Sequence, residues 1–246
     1  MLATLLLAAT MGTPPCWEVY DAAVRRRAAA AHPAYVTYDE RISLIANDQQ
    51  IVRSSAHIDY RDDGVARVSD TRFDNDPFVT LTTDPGPPEL GPYGGNRLSW
   101  LPLGTAGSTP MRVIGDVRAH GNLSCTLRDV VTYRGHRSYR VSIGNVPLDR
   151  PAVKELLIDT QSFDIWKLVV RGFVLFTGTD TAASLTDFQV EMAYAGPYLV
   201  VDHVTWHYRL RQYSQYDRLF GEYYFSDFDF PKSMPAALFT VGSGGT

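Results

Sequence analysis

The sequence lacks the features by which most function classes are recognised. Its net charge is −4, so no excess of basic residues indicates a nucleic-acid partner. The only dense basic run, Arg25–Arg27, is interpreted as a solvated helix face. No glycine-rich phosphate loop, GxSxG nucleophile elbow, HExxH motif or CxxC motif is present. The sequence therefore predicts no cofactor, no metal site and no nucleic-acid partner.

Cysteine is also scarce. The two cysteines, Cys16 and Cys125, are too few for a zinc cage or a disulfide framework. If the protein is exported, the two cysteines could form one disulfide bond. Otherwise they remain separate thiols, with Cys125 an inert thiol in the middle of a strand. The sequence leaves both alternatives open.

Long hydrophobic runs are absent except at the N-terminus. The run Leu2–Ala9 is shorter than the roughly 18–20 residues of a membrane span. Small residues and prolines follow it, as in a secretory signal, although no Lys or Arg precedes Arg25. We therefore expect a signal peptide or a buried hydrophobic N-terminus at 1–14, a single domain at 15–240 and a flexible tail at 241–246. The expected location is exported, periplasmic or associated with the cell envelope.

What the sequence has is aromatic residues and alternating segments. The 14 Tyr, 11 Phe and 4 Trp favour strands. One helix is predicted at 16–31, with an apolar stripe of Trp17, Tyr20, Val24 and Ala28. After Tyr35, ten or eleven short strands with tight turns predict a mainly β fold built as an antiparallel meander. Two Pro/Gly-rich segments, 84–97 and 103–110, are predicted loops that either flank a binding mouth or lie on the surface.

The segment Tyr198–Leu210 shows the alternation best. Valines and aromatics occupy one set of alternate positions, while His203 and His207 occupy the other, so the two sets face opposite sides of a strand. Two histidines four apart on a strand lie about 13 Å apart, too far for one metal ion, and are interpreted as solvated. Asp202 interrupts the apolar parity and is predicted to lie either at the rim of a mouth or at a bulge.

Catalytic patterns are weak in this sequence. A glycosidase pair would need two carboxylates facing each other across a cleft, and the spacing of the candidate acids does not indicate one. The candidates are Asp159, Asp164, Asp187 and Glu191.

The bulky apolar side chains of the paired strands are the strongest candidates for a function. One helix is too little cover for ten strands, so the sheet must curl around itself or be filled. We predict that its apolar face holds a hydrophobic ligand, and the alternative is a plain packed core. The predicted lining residues are Trp166, Leu168, Phe188, Met192, Tyr194, Val204, Trp206 and Tyr208.

Several segments of the C-terminal half together resemble the LolA-like family of outer-membrane lipoprotein carriers. They are YRVSI (139–143), KELLIDTQSFDIWKLVV (154–170), AYAGPYLVVDHVTWHY (193–208) and GEYYFSDFDF (221–230). The resemblance covers about Trp17 to Phe239. It implies a curved antiparallel sheet, an incomplete β-barrel with an N-terminal helix and a lid over its open side. The chain departs from the family at 84–110, where a Pro/Gly-rich loop replaces the usual lid helices.

The resemblance also implies a function. We expect non-enzymatic binding of a lipid, a lipoprotein acyl chain or another hydrophobic small molecule in the cell envelope, as carrier or sensor. A membrane-associated donor or acceptor protein would be the partner, and the chain is expected to be a monomer. The alternatives are a structural or protein-interaction module with a filled core and an unrecognised hydrolase.

Overall fold

The computed structural model describes residues 13–31, 33–46, 48–62, 66–75, 122–146, 152–175, 182–211 and 218–239. Within these ranges the chain is mainly β, as predicted. It forms one helix, α1 (Cys16–Ala28), ten strands and a final 3₁₀ turn (Ala236–Phe239). The strands are β1 (Tyr35–Ala46), β2 (Gln49–Arg61), β3 (Ala66–Asn75), β4 (Ser124–Tyr133), β5 (His136–Gly144), β6 (Ala152–Asp159), β7 (Ile165–Leu175), β8 (Ala182–Ala195), β9 (Tyr198–Arg211) and β10 (Arg218–Asp229).

Helix α1 is shorter than predicted and buries a different stripe. It ends at Ala28, because the chain must turn towards Pro33 and the start of β1. Its buried side chains are Val19, Tyr20, Ala23 and Arg27, whereas Ala28 is exposed. The interpretation of the three arginines as a solvated face is therefore wrong for Arg27, which is 5% exposed.

The ten strands form one antiparallel sheet in the order β3-β2-β1-β10-β9-β8-β7-β6-β5-β4. Strands β1–β3 and β4–β10 are each a meander, which confirms the predicted local pairing. The junction between the two meanders is the pairing of β1 with β10, which joins the two ends of the domain. Consequently β3 and β4, consecutive in the described chain, lie at opposite edges of an open sheet. The architecture is an incomplete barrel with an N-terminal helix.

Turn residues explain the tight connections. Arg134 and Gly135 both have positive φ, 49° and 84°, as a two-residue hairpin loop with the twist of its strands requires. Between β8 and β9 the two-residue loop is Gly196-Pro197, in which Gly196 has φ of 55° and the proline ring holds a negative φ. Between β6 and β7, the Asp159 carboxylate accepts hydrogen bonds from the backbone N–H groups of Gln161 and Ser162. The separate strands predicted at 163–171 and 173–177 are one continuous β7, preceded by Phe163 in a turn.

The two faces of the sheet differ in chemistry. One row of directly paired residues crosses it from β4 to β2, and all but the last are apolar: Leu127, Val141, Leu156, Leu168, Val190, Val204, Tyr223, Ile42 and Ser54. Helix α1 packs on this side, because its Val19, Tyr20 and Ala23 belong to the same hydrophobic cluster. We call this side the inner face and the opposite side the outer face.

A disulfide ties the helix to the sheet. Cys16, the first residue of α1, is bonded to Cys125 on edge strand β4, across 109 residues of sequence. Of the two alternatives that the sequence left open, the structure shows the bridge. Cys125 is therefore not the inert thiol expected in the unpaired case.

Several predicted segments lie outside the described residues. They are the hydrophobic N-terminus at 1–12, the short strands at 78–82 and 111–117, the loops at 84–97 and 103–110 and the tail at 241–246. Segment 84–110, where the family would have its lid helices, is thus outside the described residues as well. Within the described part, α1 is too short and too polar to cross a membrane.

Candidate functional site: the inner face and its two ends

The register of β7, β8 and β9 brings the predicted lining residues together. Val190 on β8 stands directly between Leu168 on β7 and Val204 on β9. Phe188 is paired with Trp206 one step along the same strands. These side chains therefore share the inner face, as the alternation in the sequence predicted.

This wall is closed in the structure. Leu168, Phe188, Met192, Val204 and Trp206 are each at most 3% exposed to solvent. A cavity large enough for a ligand would leave part of its lining accessible to a water-sized sphere. The side chains therefore pack against their neighbours rather than around an empty chamber.

Trp206 lies flat across the neighbouring strand. Its cross-strand partner on β10 is Gly221, and the indole ring occupies the space where a Cβ atom at 221 would stand. A glycine is needed here because the ring approaches the backbone directly. Tyr208, two residues further on, is paired with Leu185 and Leu219, and its side chain lies outside the described part.

Trp166 and Tyr194 lie at one end of the inner face, near the β6–β7 turn. Trp166 is an extra residue in the β6–β7 pairing, so it leaves the alternation of its strand. Its indole N–H donates to Asp159 over 3.2 Å, and its ring contacts those of His136 and Tyr194. These two residues therefore form a group of their own at the turn, beside the wall.

A pocket of about 320 Å³ opens at this end, between the last turn of α1 and the β6–β7 and β8–β9 turns. Of the predicted lining residues with described side chains, Tyr194 alone lines it, and Tyr194 is 45% exposed. The helix contributes Ala23, Arg27 and the alanines that follow it. The pocket is thus the place where the predicted site reaches the surface.

A three-residue polar link lies at the rim of this pocket. Asp164 accepts hydrogen bonds from Arg26 Nε at 3.0 Å and from the Tyr194 hydroxyl at 2.8 Å. Burial and the bond to Asp164 raise the pKa of Tyr194, so it stays a neutral donor. Beside it, burial lowers the pKa of Arg27, whose Nη1 donates to the Leu199 carbonyl at 2.8 Å. These bonds connect the end of α1 to both hairpins.

Asp202 is the extra residue of a β-bulge. Glu191 is paired with His203 but Met192 with Val201, so Asp202 has no partner on β8. The bulge, one of the two positions predicted for this acid, is confirmed. The shift also explains why Val201 and Val204, of opposite parity, are both buried. The Asp202 carboxylate accepts a 2.6 Å hydrogen bond from Arg134.

On the outer face, Asp202 belongs to an ionic cluster formed by Arg134, Lys167, Glu191, Asp202, His203 and Glu222. Glu191 is at its centre and contacts Arg134, Lys167 and His203. Arg134 comes from the β4–β5 turn, while Glu191 lies on β8, with β6 and β7 between them in the sheet. Three strand spacings of about 4.8 Å exceed the reach of an arginine, so the hairpin tip must fold over the outer face.

The cluster shifts the acidity of its members. The hydrogen bond from His203, assisted by Lys167, outweighs burial and lowers the pKa of Glu191 to about 2. Burial alone would lower the pKa of His203, but its bonds to Glu191 and Glu222 raise it. The interpretation of both histidines as solvated is therefore wrong for His203, which is held between two carboxylates. His207 is exposed.

The acids considered for hydrolysis have other partners. Asp159 is held by the β6–β7 turn, Asp164 by Arg26 and Tyr194, and Glu191 by the ionic cluster. Within the described ranges, no three His, Cys, Asp or Glu side chains are grouped so that they could hold a metal ion. Arg134 and Glu222 were not predicted, because their contacts depend on strands distant in sequence.

Comparison with known proteins gives structural likeness only. No family model matches the chain, and no curated protein matches it. The solved structures similar to it include a domain assigned to an outer membrane lipoprotein-sorting protein from Vibrio parahaemolyticus, with 12% identity, 92% of this chain and 97% of that chain covered, and a TM-score of 0.45.

Two further structures are similar at lower scores. A LolA superfamily protein from Nitrosomonas europaea has 8% identity, with 93% of this chain and 99% of that chain covered, and a TM-score of 0.37. MucB of Pseudomonas aeruginosa, solved with MucA, has 9% identity, with 85% and 92% covered, and a TM-score of 0.25. These likenesses extend over most of the chain and are at low sequence identity.

Proposed function

We propose that the protein is an exported carrier or sensor that binds a lipid or another hydrophobic ligand between α1 and the inner face. The observation that supports this is the difference in size between the sheet and α1, the one helix of the described residues that packs on its inner face. Nine strand spacings of about 4.8 Å make a sheet some 40 Å wide, whereas a 13-residue helix is about 20 Å long. The apolar row extends across the sheet beyond the length of α1. Acyl chains of a ligand could therefore pack on the inner face beside the helix.

The disulfide supports export. Disulfide bonds persist in oxidising compartments such as the periplasm and are rare in the cytosol. The bond between Cys16 and Cys125 also anchors the start of α1, so any movement of the helix would be greatest at its other end. That end borders the 320 Å³ pocket, which we infer to be the entrance.

Entry would require the rim to open. The Arg26 side of its link to Asp164 is half-exposed, but the Asp164 carboxylate is buried, so leaving it unpaired costs about 1–3 kcal/mol. Each methylene transferred from water to the apolar interior contributes roughly 0.8 kcal/mol. One acyl chain therefore outweighs the loss of this link, and binding needs no covalent chemistry.

The test is direct. Organic extraction of the purified protein followed by mass spectrometry should recover lipid, and a fluorescent fatty acid should bind saturably. Ala30→Trp fills the pocket that Ala30 lines and should weaken this binding at least tenfold. Ala28→Trp adds the same ring at an exposed position outside the pocket and should leave binding unchanged.

A structural or interaction module is the second candidate, because five of the predicted lining residues form a closed wall. It predicts no recovered lipid, no saturable binding and no difference between the two tryptophan variants. That set of results would overturn the carrier proposal.

A further inference from the structure

The outer face carries a second feature, unrelated to the inner wall. A row of paired residues runs across it from the ionic cluster to β3: Lys167, Glu191, His203, Tyr224, Arg41, Ser55 and Arg72. Its far end borders a groove of about 540 Å³ on β1, β2, β3 and β10. The groove is lined by three arginines, Arg41, Arg53 and Arg72.

The register explains why a groove forms there. Ser55 on β2 stands directly between Arg41 on β1 and Arg72 on β3, and Ser43 stands opposite Arg53. Opposed residues on antiparallel strands have Cα atoms about 5 Å apart, so Arg41 and Arg72 flank a gap of about 10 Å. The short serines form its floor and the long arginines its walls.

The charge of the groove is positive in a protein whose net charge is −4. Among the residues that line it, the arginines stand beside one carboxylate, that of Glu222. Glu222 is itself engaged, because His203 lies 2.9 Å from its Oε1 and the Tyr224 hydroxyl donates to the same atom at 2.6 Å. Among the side chains that the structure describes, neither Arg41 nor Arg72 takes part in a salt bridge.

We propose that this arginine groove binds the phosphate group of a small phosphate ester. Guanidinium groups bind phosphate oxygens with paired N–H donors, and the serine hydroxyls of the floor add further donors. Arg41, Ser55 and Arg72 belong to the outer-face row on β1–β3, whereas the closed wall lies on β7–β9, so the two ligands would occupy different strands. The phosphate could belong to a soluble ester or to a lipid headgroup, which share this chemistry.

Binding of glycerol 1-phosphate, measured by calorimetry, tests the proposal on the full chain. Arg41→Gln/Arg72→Gln should weaken it at least tenfold. The matched control is Arg128→Gln/Arg137→Gln, which removes the same charge from exposed positions on the β4–β5 hairpin. Circular dichroism checks that both variants are folded, and arginine Nε–H shifts on titration of the wild type locate the ester without any substitution.

A second experiment distinguishes a lipid headgroup from a soluble ester as the source of the phosphate. Phosphatidylcholine vesicles with phosphatidic acid should sediment the protein if a headgroup is bound, and glycerol 1-phosphate should bind in solution if a free ester is. The proposal is overturned if the protein neither binds glycerol 1-phosphate nor sediments with the vesicles. It is also overturned if the control variant loses as much affinity as Arg41→Gln/Arg72→Gln. Equally tight binding of succinate would overturn the assignment to phosphate.

Discussion

At the residue scale, Gly221 shows how closely the inner wall is packed. The indole of Trp206 fills the position of a Cβ atom at 221. We therefore expect Gly221→Ala to displace the ring and to lower the free energy of unfolding by about 1–3 kcal/mol, the usual cost of overpacking. Urea unfolding followed by circular dichroism measures this loss.

Gly144→Ala is the matched control for that substitution. A Cβ atom at 144 meets the hydroxyl of Ser124, the mobile end of a small side chain that can rotate away. We expect a change below about 0.5 kcal/mol, typical of undemanding positions. Equal losses in the two alanine variants would contradict the close packing of Trp206 on Gly221.

Asp202 shows what a single residue reveals in sequence and what it does not. As an acid on an apolar parity, it indicated either a rim or a bulge, and the structure shows the bulge. Its partner Arg134 lies 68 residues away, and no local pattern connects the two. The alternation therefore predicted where the strand is irregular, while the contact that uses the irregularity depends on tertiary structure.

At the element scale, the disulfide holds α1 on edge strand β4. The bond closes a loop across 109 residues of sequence. A loop of that size restricts the unfolded chain by about 4–5 kcal/mol in the chain-entropy account. We expect Cys16→Ser/Cys125→Ser to lose stability of that order, measured by urea unfolding under non-reducing conditions.

Reduction supplies the control. Dithiothreitol should lower the stability of the wild type towards that of the serine variant and leave the variant unchanged. If the wild type is equally stable with and without reductant, the bond contributes nothing to holding the helix.

The elements themselves were largely predictable, since strand alternation and Gly or Pro turns are local. Strand β9 begins at the first residue of the predicted segment Tyr198–Leu210 and ends one residue beyond it, at Arg211. The edge positions of β3 and β4 were not predictable, because they follow from the pairing of β1 with β10, more than 170 residues apart. The burial of Arg27 likewise depends on the Leu199 carbonyl, which the helix sequence does not indicate.

At the scale of the whole molecule, the ionic cluster makes the stability of the fold depend on pH on both the acid and the alkaline side. The pKa of Glu191 is lowered from 4.5 to about 2, so its contribution is present above pH 4.5 and is lost as the pH falls towards 2. Discounted for the contact of the Glu191 carboxyl with solvent, this pKa shift corresponds to about 1–2 kcal/mol of stability. The pKa of His203 is raised from 6.5, so its contribution is present below pH 6.5 and is lost as the pH rises through the raised value.

His203→Gln separates the two limbs of the stability profile, the fall in stability at acid pH and the fall at alkaline pH. Without the cation between Glu191 and Glu222, we expect a lower Tm at pH 6 than in the wild type and no further His203-dependent fall from pH 6 to 8. The acid limb should also move to higher pH, because the hydrogen bond from His203 is the largest cause of the low pKa of Glu191. Thermal unfolding from pH 3 to 9 measures both limbs.

His207→Gln is the control that makes the pH profile specific. His207 lies four residues along the same strand and on the same face but is exposed, and the cluster carboxylates Glu191 and Glu222 contact His203. Replacing His207 should leave both the acid and the alkaline fall of the wild-type profile in place, because Glu191 and Glu222 keep His203 between them. An alkaline limb that persists in His203→Gln, or disappears in His207→Gln, would show that another group sets the pH dependence.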